Sequence, residues 1–136
     1  MRVVLDTNIL VSGLIAPAGT SAAILKAWRK GLFTILTCEV QVNELRSTLR
    51  RPRVAELIKP HQAGRLVNWV RKVAEVVEGL PEVRRSVDPD DDYLLALWEA
   101  GRADYLVTGD KGHLLTLAAH SGARIVSGRE FIALWG

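Results

Sequence analysis

Apolar positions along the chain come in two rhythms. Residues 2–6 ("RVVLD") form a continuous run of β-branched and aliphatic side chains closed by an acid, as expected for a strand buried on both faces. Ala22, Ala23, Leu25, Ala27 and Trp28 then follow a helical spacing, with Thr20 and Ser21 in capping position and Gly31 as the stop. "LFTIL" is the second expected strand. From Thr37 onward Val40, Val42, Leu45 and Leu49 form a stripe that leaves Glu39, Glu44, Arg46 and Arg50 on other faces. The pattern predicts a helix carrying Glu44 in its interior and ended by Pro52. Helices over 54–59 and 61–72, a strand in "AEVVE", a connection over 80–89 and a helix over 90–99 come next. Strands over 104–108 and 123–127 and a short helix after Gly128 complete the chain. Alternation of this kind predicts an α/β fold, a central parallel β-sheet flanked by helices on both faces.

Bulk properties narrow this only a little. At 136 residues the chain is expected to form one domain over 1–136 around one core. No apolar stretch is long enough to span a bilayer, and "MRVVLDTN" meets an acid too early for a signal peptide. A cytoplasmic protein without a membrane partner is expected. Cys38 is the single cysteine, which excludes an internal disulfide and a Cys-based zinc cluster and predicts a small buried or half-buried apolar residue. A formal charge of +3 and a pI near 9.4 are compatible with a polyanionic partner and do not require one.

The acids change the picture. In open parallel sheets ligands bind beyond the carboxyl ends of the strands. Asp6 ends the first strand, Asp110 lies two residues past Thr108 at the end of the fourth, and Asp92 opens the helix before it. Each has a plainer reading. Asp88, Asp90 and Asp91 suit helix capping and the helix dipole, Glu44 suits a solvent-facing helix position, and Asp110 in "TGDKG" suits a turn. Asp6, directly after Val3, Val4 and Leu5, is harder to explain so. If the acids converge, two carboxylates about 4 Å apart repel by roughly 4 kcal/mol at an effective dielectric near 20. A hard divalent cation, Mg²⁺ or Mn²⁺, would offset that repulsion, whereas His61, His113 and His120 show no ligand spacing beside the acids. Such a site suits cleavage of a phosphodiester. Thr7, Asn8 and Thr108 could orient carboxylates or waters; equally, they could cap a helix over 8–15 and the turn after the fourth strand.

The stretches "VVLDTNILVSGL", "NEL", "DPDDDYLLALWEAGRADYLVTGD" and "ARIVSGREF" together resemble PIN-domain ribonucleases, in particular the VapC-like toxins of type II toxin–antitoxin pairs. The resemblance spans essentially the whole chain. It implies that the family's acids fall on Asp6, Glu44, Asp92 and Asp110, with Asp6, Asp92 and Asp110 holding the metal and Asp88 or Asp91 as alternatives to Asp92. It also implies supporting roles for Thr7, Asn8 and Thr108, an Mg²⁺- or Mn²⁺-dependent endoribonuclease acting on RNA, an antitoxin partner and a homodimer. The basic stretch "LRRPR" with Arg46, that is Arg46, Arg50, Arg51 and Arg53, and the smaller "VRR" at 83–85 could meet RNA phosphates or an acidic antitoxin segment, or be a solvated face. Trp28, Trp69, Trp98 and Trp135 sit among Leu and Val and read as core or dimer-interface residues. Two further readings stay open: a nucleic-acid-binding or interaction module without catalysis, and a phosphatase using Asp6 as nucleophile. The latter lacks the second Asp expected two residues after the first.

Overall fold

Val3, Val4 and Leu5 have no exposed surface, which a strand achieves only with neighbours on both edges and layers on both faces. β1 (Arg2–Leu5) accordingly lies at the centre of a parallel sheet ordered β3-β2-β1-β4-β5, with β2 at Thr34–Thr37, β3 at Glu75–Val76, β4 at Tyr105–Val107 and β5 at Ile125–Val126. The computed structural model of the chain describes residues 1–80, 92–109 and 124–135. Its helices are α1 (Thr7–Ile15), α2 (Thr20–Arg29), α3 (Glu39–Leu49), α4 (Pro52–Ala55), α5 (Pro60–Val73), α6 (Asp92–Ala100) and α7 (Gly128–Ile132), followed by a 3₁₀ turn at Ala133–Trp135. Among the described residues, no single helix is long and apolar enough to cross a membrane.

The strand period of two sorts the core into two layers. Val3, Leu5, Ile35 and Val107 point to one face, where they meet Leu10 of α1, Ile24 and Trp28 of α2, Leu45 of α3, Val70 of α5 and Phe131 of α7. Val4, Leu36, Leu106 and Ile125 point to the other, against Leu94, Leu95 and Leu97 of α6. Each fully buried leucine contributes about 1.5–3 kcal/mol, so three of them seat α6 firmly on that face. Trp28 is buried and stacks on Trp69 at 4.3 Å between ring centroids, while Trp135 is 38 % exposed. Cys38 is buried, and burial pushes its thiol above the ordinary range.

Boundaries differ from the sequence pattern for physical reasons. Gly31 adopts the left-handed φ of +75° after α2, and Leu32 stays exposed, so β2 begins at Thr34 rather than at the start of "LFTIL". The cap of α2 is Gly19, with Thr20 and Ser21 inside the first turn. Pro52 ends α3 and also starts α4, because a proline at the first helical position lacks only an N–H that would have no helical acceptor. The helix expected over 54–59 therefore lies at Pro52–Ala55. On α3 itself Val40 is 54 % exposed and Gln41 takes the buried position.

Candidate active site

The backbone N–H of Asp6 donates to the Val107 carbonyl at 2.9 Å, so its side chain stands where β1 and β4 leave the sheet. The chain runs from β1 outward to β2 and β3 on one side and returns to β4 and β5 on the other, which makes this the point where strand order reverses. The Asp6 side chain is buried. Its Oδ1 accepts from the Asn8 N–H at 3.1 Å, so Asp6 is the N-cap of α1, and its Oδ2 accepts from the Thr108 hydroxyl at 2.9 Å. A carboxylate offers roughly four lone-pair directions; these two donors occupy two of them. Thr7, which opens α1, does not cap it: its hydroxyl lies 3.0 Å from that of Tyr93. Asn8 contributes its backbone, and its side chain is exposed.

Glu44 arrives from the middle of α3. It is half-buried, and its carboxylate takes a hydrogen bond from the Tyr93 hydroxyl. Burial pushes the Tyr93 phenol far above its ordinary range; the Thr7 bond opposes that rise, and the Glu44 and Asp6 carboxylates add to it. Tyr93 is thus a neutral donor at any working pH. Gln41 fixes the helix that carries Glu44. Fully buried, it donates through Nε2 to the Leu5 carbonyl at 2.6 Å and accepts through Oε1 from the Thr37 hydroxyl at 2.7 Å. These bonds tie the ends of β1 and β2 to the first turn of α3, and Glu44 three residues later shares that helix face.

Asp6, Thr7, Glu44 and Thr108 therefore meet at one rim, with the backbone of Asn8. Asp92 is the first residue of α6, next to Tyr93, whereas Asp88, Asp90, Asp91 and Asp110 lie outside the described residues, as do His113, His120 and "VRR". Among the described residues, no group of three His, Cys, Asp or Glu side chains could hold a metal ion. The basic stretch is elsewhere: Arg46 is half-buried, and Arg50, Arg51 and Arg53 are exposed. α3 leads from the acidic rim back along the sheet, so Arg50 lies about 9 Å of helix rise beyond Glu44. Arg46 and Arg50 border an apolar groove of about 610 Å³ between α3 and α5.

Three features escaped the sequence reading: Tyr93, Gln41, and a cleft of about 220 Å³ at the acidic rim, lined by Ile9, Thr20, Ser21, Gly109, Ser127, Gly128 and Arg129. For the cleft a signal was present. "SGRE" is a capping box, in which Ser127 and Glu130 satisfy each other's backbone N–H groups and so place Arg129 in the first turn of α7.

The sequence profile described as PIN domain matches residues 2–112 of this chain. No curated protein sequence matches it. Among solved structures, the fold is similar to a chain of VapBC2 from Rickettsia felis, crystallised bound to a DNA fragment from the promoter. The TM-score is 0.60 at 16% identity, covering 93% of this chain and 98% of that one. It is also similar to FitAcB from Neisseria gonorrhoeae, with a TM-score of 0.56 at 15% identity over 93% and 97% of the two chains. At these identities the likeness is one of fold.

Proposed function

This chain belongs to the PIN domain family, and from that premise we propose that it is an Mg²⁺- or Mn²⁺-dependent endoribonuclease, the toxin of a toxin–antitoxin pair. The observation that carries the proposal is Asp6, a buried carboxylate oriented by two donors at the switch point of a parallel sheet. The donor chemistry fits a hard cation. Oxygen ligands from Asp6, Asp92 and Asp110 would hold it, and Cys38 and the histidines have no part in the set. A bound ion would supply water activation and neutralisation of phosphate charge. The protein's own contribution is orientation and proton transfer. Thr108 and the Asn8 N–H fix the Asp6 carboxylate, and Glu44, held by Tyr93, accepts the proton of the attacking water. The cleft beside Gly109 would take the adjoining RNA backbone, with Thr20, Ser21 and Arg129 as its polar lining.

Fold likeness to VapBC2 and FitAcB supports the toxin–antitoxin part of the proposal. We extend it to one domain over residues 1–136, a homodimer and a cytoplasmic site of action. Arg46, Arg50, Arg51 and Arg53, away from the acidic rim, would serve flanking RNA or an acidic segment of the antitoxin.

The test is cleavage of a panel of structured and single-stranded RNAs with Mn²⁺, Mg²⁺ or EDTA, by wild type, Asp6→Asn and Asp92→Asn. Asn caps a helix as well as Asp does, so Asp6→Asn should keep α1 and the fold while losing cleavage. Cutting at the wild-type rate by that variant would sink the proposed site. Metal binding without cutting of any RNA would favour a nucleic-acid-binding module.

A further inference from the structure

A tyrosine hydroxyl has one proton to give, and an ionised carboxylate can only accept. At Tyr93 that proton goes to Glu44, so the Thr7 hydroxyl, 3.0 Å away, must be the donor in its own contact with Tyr93. The result is a directed chain from Thr7 through Tyr93 to Glu44. It begins at a fully buried residue adjoining Asp6 and ends at the half-buried acid of α3. Its members belong to α1, α6 and α3, and α6 packs on the sheet face opposite α1 and α3, so the chain closes over the strand ends. The fold does not need these bonds to seat α6, because Leu94, Leu95 and Leu97 already do so against Val4, Leu36 and Leu106.

We propose that Tyr93 is the positioning residue of Glu44, fixing the direction of its carboxylate toward the acidic rim that it shares with Asp6. The inference rests on the reading of this rim as a metal-dependent nuclease site. A lysine in the same place would also hold Glu44, but its charge would cancel that of the acid. A phenol holds the carboxylate and leaves its charge available to a cation. Because Asp92 directly precedes Tyr93, the docking of α6 sets the first residue of the helix and the orientation of Glu44 in one step.

The experiment is Mn²⁺ titration by calorimetry together with RNA cleavage, for wild type, Tyr93→Phe, Glu44→Gln, the double variant and Thr7→Val, with melting in EDTA as the check on folding. Tyr93→Phe should weaken Mn²⁺ binding and lower kcat by about 10–100-fold, the range for groups that orient metal-site residues, with KM for RNA unchanged. In the Glu44→Gln background it should cost nothing further, since Tyr93 acts through Glu44. Thr7→Val should shift both quantities the same way by a smaller factor, and it decides the matter if Tyr93→Phe does not fold. Wild-type binding and cleavage in Tyr93→Phe, or losses that multiply in the double variant, would overturn the proposal. If wild type binds Mn²⁺ and cuts no RNA, the nuclease reading fails and the Mn²⁺ affinities alone judge Tyr93; if it does neither, both fall together.

Discussion

The two rims of the sheet treat charge in opposite ways. At the amino rim the Arg2 guanidinium meets the Glu75 carboxylate and the Gly101 carbonyl, and the Arg2 backbone N–H donates to Asp104 Oδ2 at 2.8 Å. Acid is matched to base there, in the open: the two side chains of the ion pair are 38% and 48% exposed. At the carboxyl rim Asp6 and Glu44 receive their described hydrogen bonds from the Asn8 N–H and the Thr108 and Tyr93 hydroxyls, all neutral. Thr7, Gln41 and Thr108 are fully buried around them. A cation fixes a carboxylate and cancels its charge, whereas a hydroxyl fixes it and leaves the charge for a ligand. Among the described residues an ion pair characterises the amino rim and neutral donors the carboxyl rim, and it is at the second that the cation proposed above would bind.

Thr108→Val attacks this contrast where the largest effect is expected. The substitution keeps the shape and removes the hydroxyl that orients Asp6 Oδ2, so cleavage should fall about 10–100-fold. Stability should fall by about 1–3 kcal/mol, the cost of leaving a buried polar partner unsatisfied. Single-turnover cleavage and a urea melt measure the two; an unchanged rate would mean that Asp6 is held well enough by Asn8 alone.

Gln41→Leu comes next, and it acts on stability first. It leaves the Leu5 carbonyl and the Thr37 hydroxyl buried without their described partner, for a loss of about 2–4 kcal/mol. Each kcal/mol should lower Tm by about 3–5 °C in a chain of this size. Scanning calorimetry would show it, and a Tm within 2 °C of wild type would mean that α3 is held by its apolar face alone.

Gln41 also marks the limit of what the sequence can tell. β1 is legible because three consecutive aliphatic residues demand burial on both faces, and Asp6 is legible because it closes that run. The interior position of Glu44 on α3 follows from Val42, Leu45 and Leu49. The same stripe assigns Val40 to the core, where it is instead 54 % exposed, and gives no sign that Gln41 is fully buried. Burying Gln41 is worthwhile only because Leu5, 36 residues away, supplies an acceptor, and no periodicity encodes a partner at that distance. Tyr93 reads as the start of a helix for the same reason, since its contact with Thr7 spans 86 positions. The arginines around Pro52 are dense in the sequence, yet only the direction of α3 shows that most of them stand away from the acids.

The smallest effect belongs to the amino rim, and its sign can be worked out. The hydrogen bond from Arg2 holds the Glu75 carboxyl below the ordinary carboxylate range, and the same bond raises the Arg2 guanidinium further above any working pH. A carboxyl depressed in the folded state stabilises fully above its unfolded pKa, about 4.3, and loses that contribution as pH falls through the lower folded value. Arg2 stays charged throughout, so the acid side alone is pH-dependent. Exposed pairs are screened and weak, so Glu75→Gln should lower Tm only slightly at neutral pH and low salt. The difference should shrink in about 0.5 M salt and vanish as pH falls through the depressed folded-state value of Glu75. Cleavage should be untouched. Thr108→Val should instead keep its deficit in salt, because a buried hydrogen bond is not screened by mobile ions. Parallel salt series on the two variants would therefore separate the rims; equal salt sensitivity would erase the contrast between them.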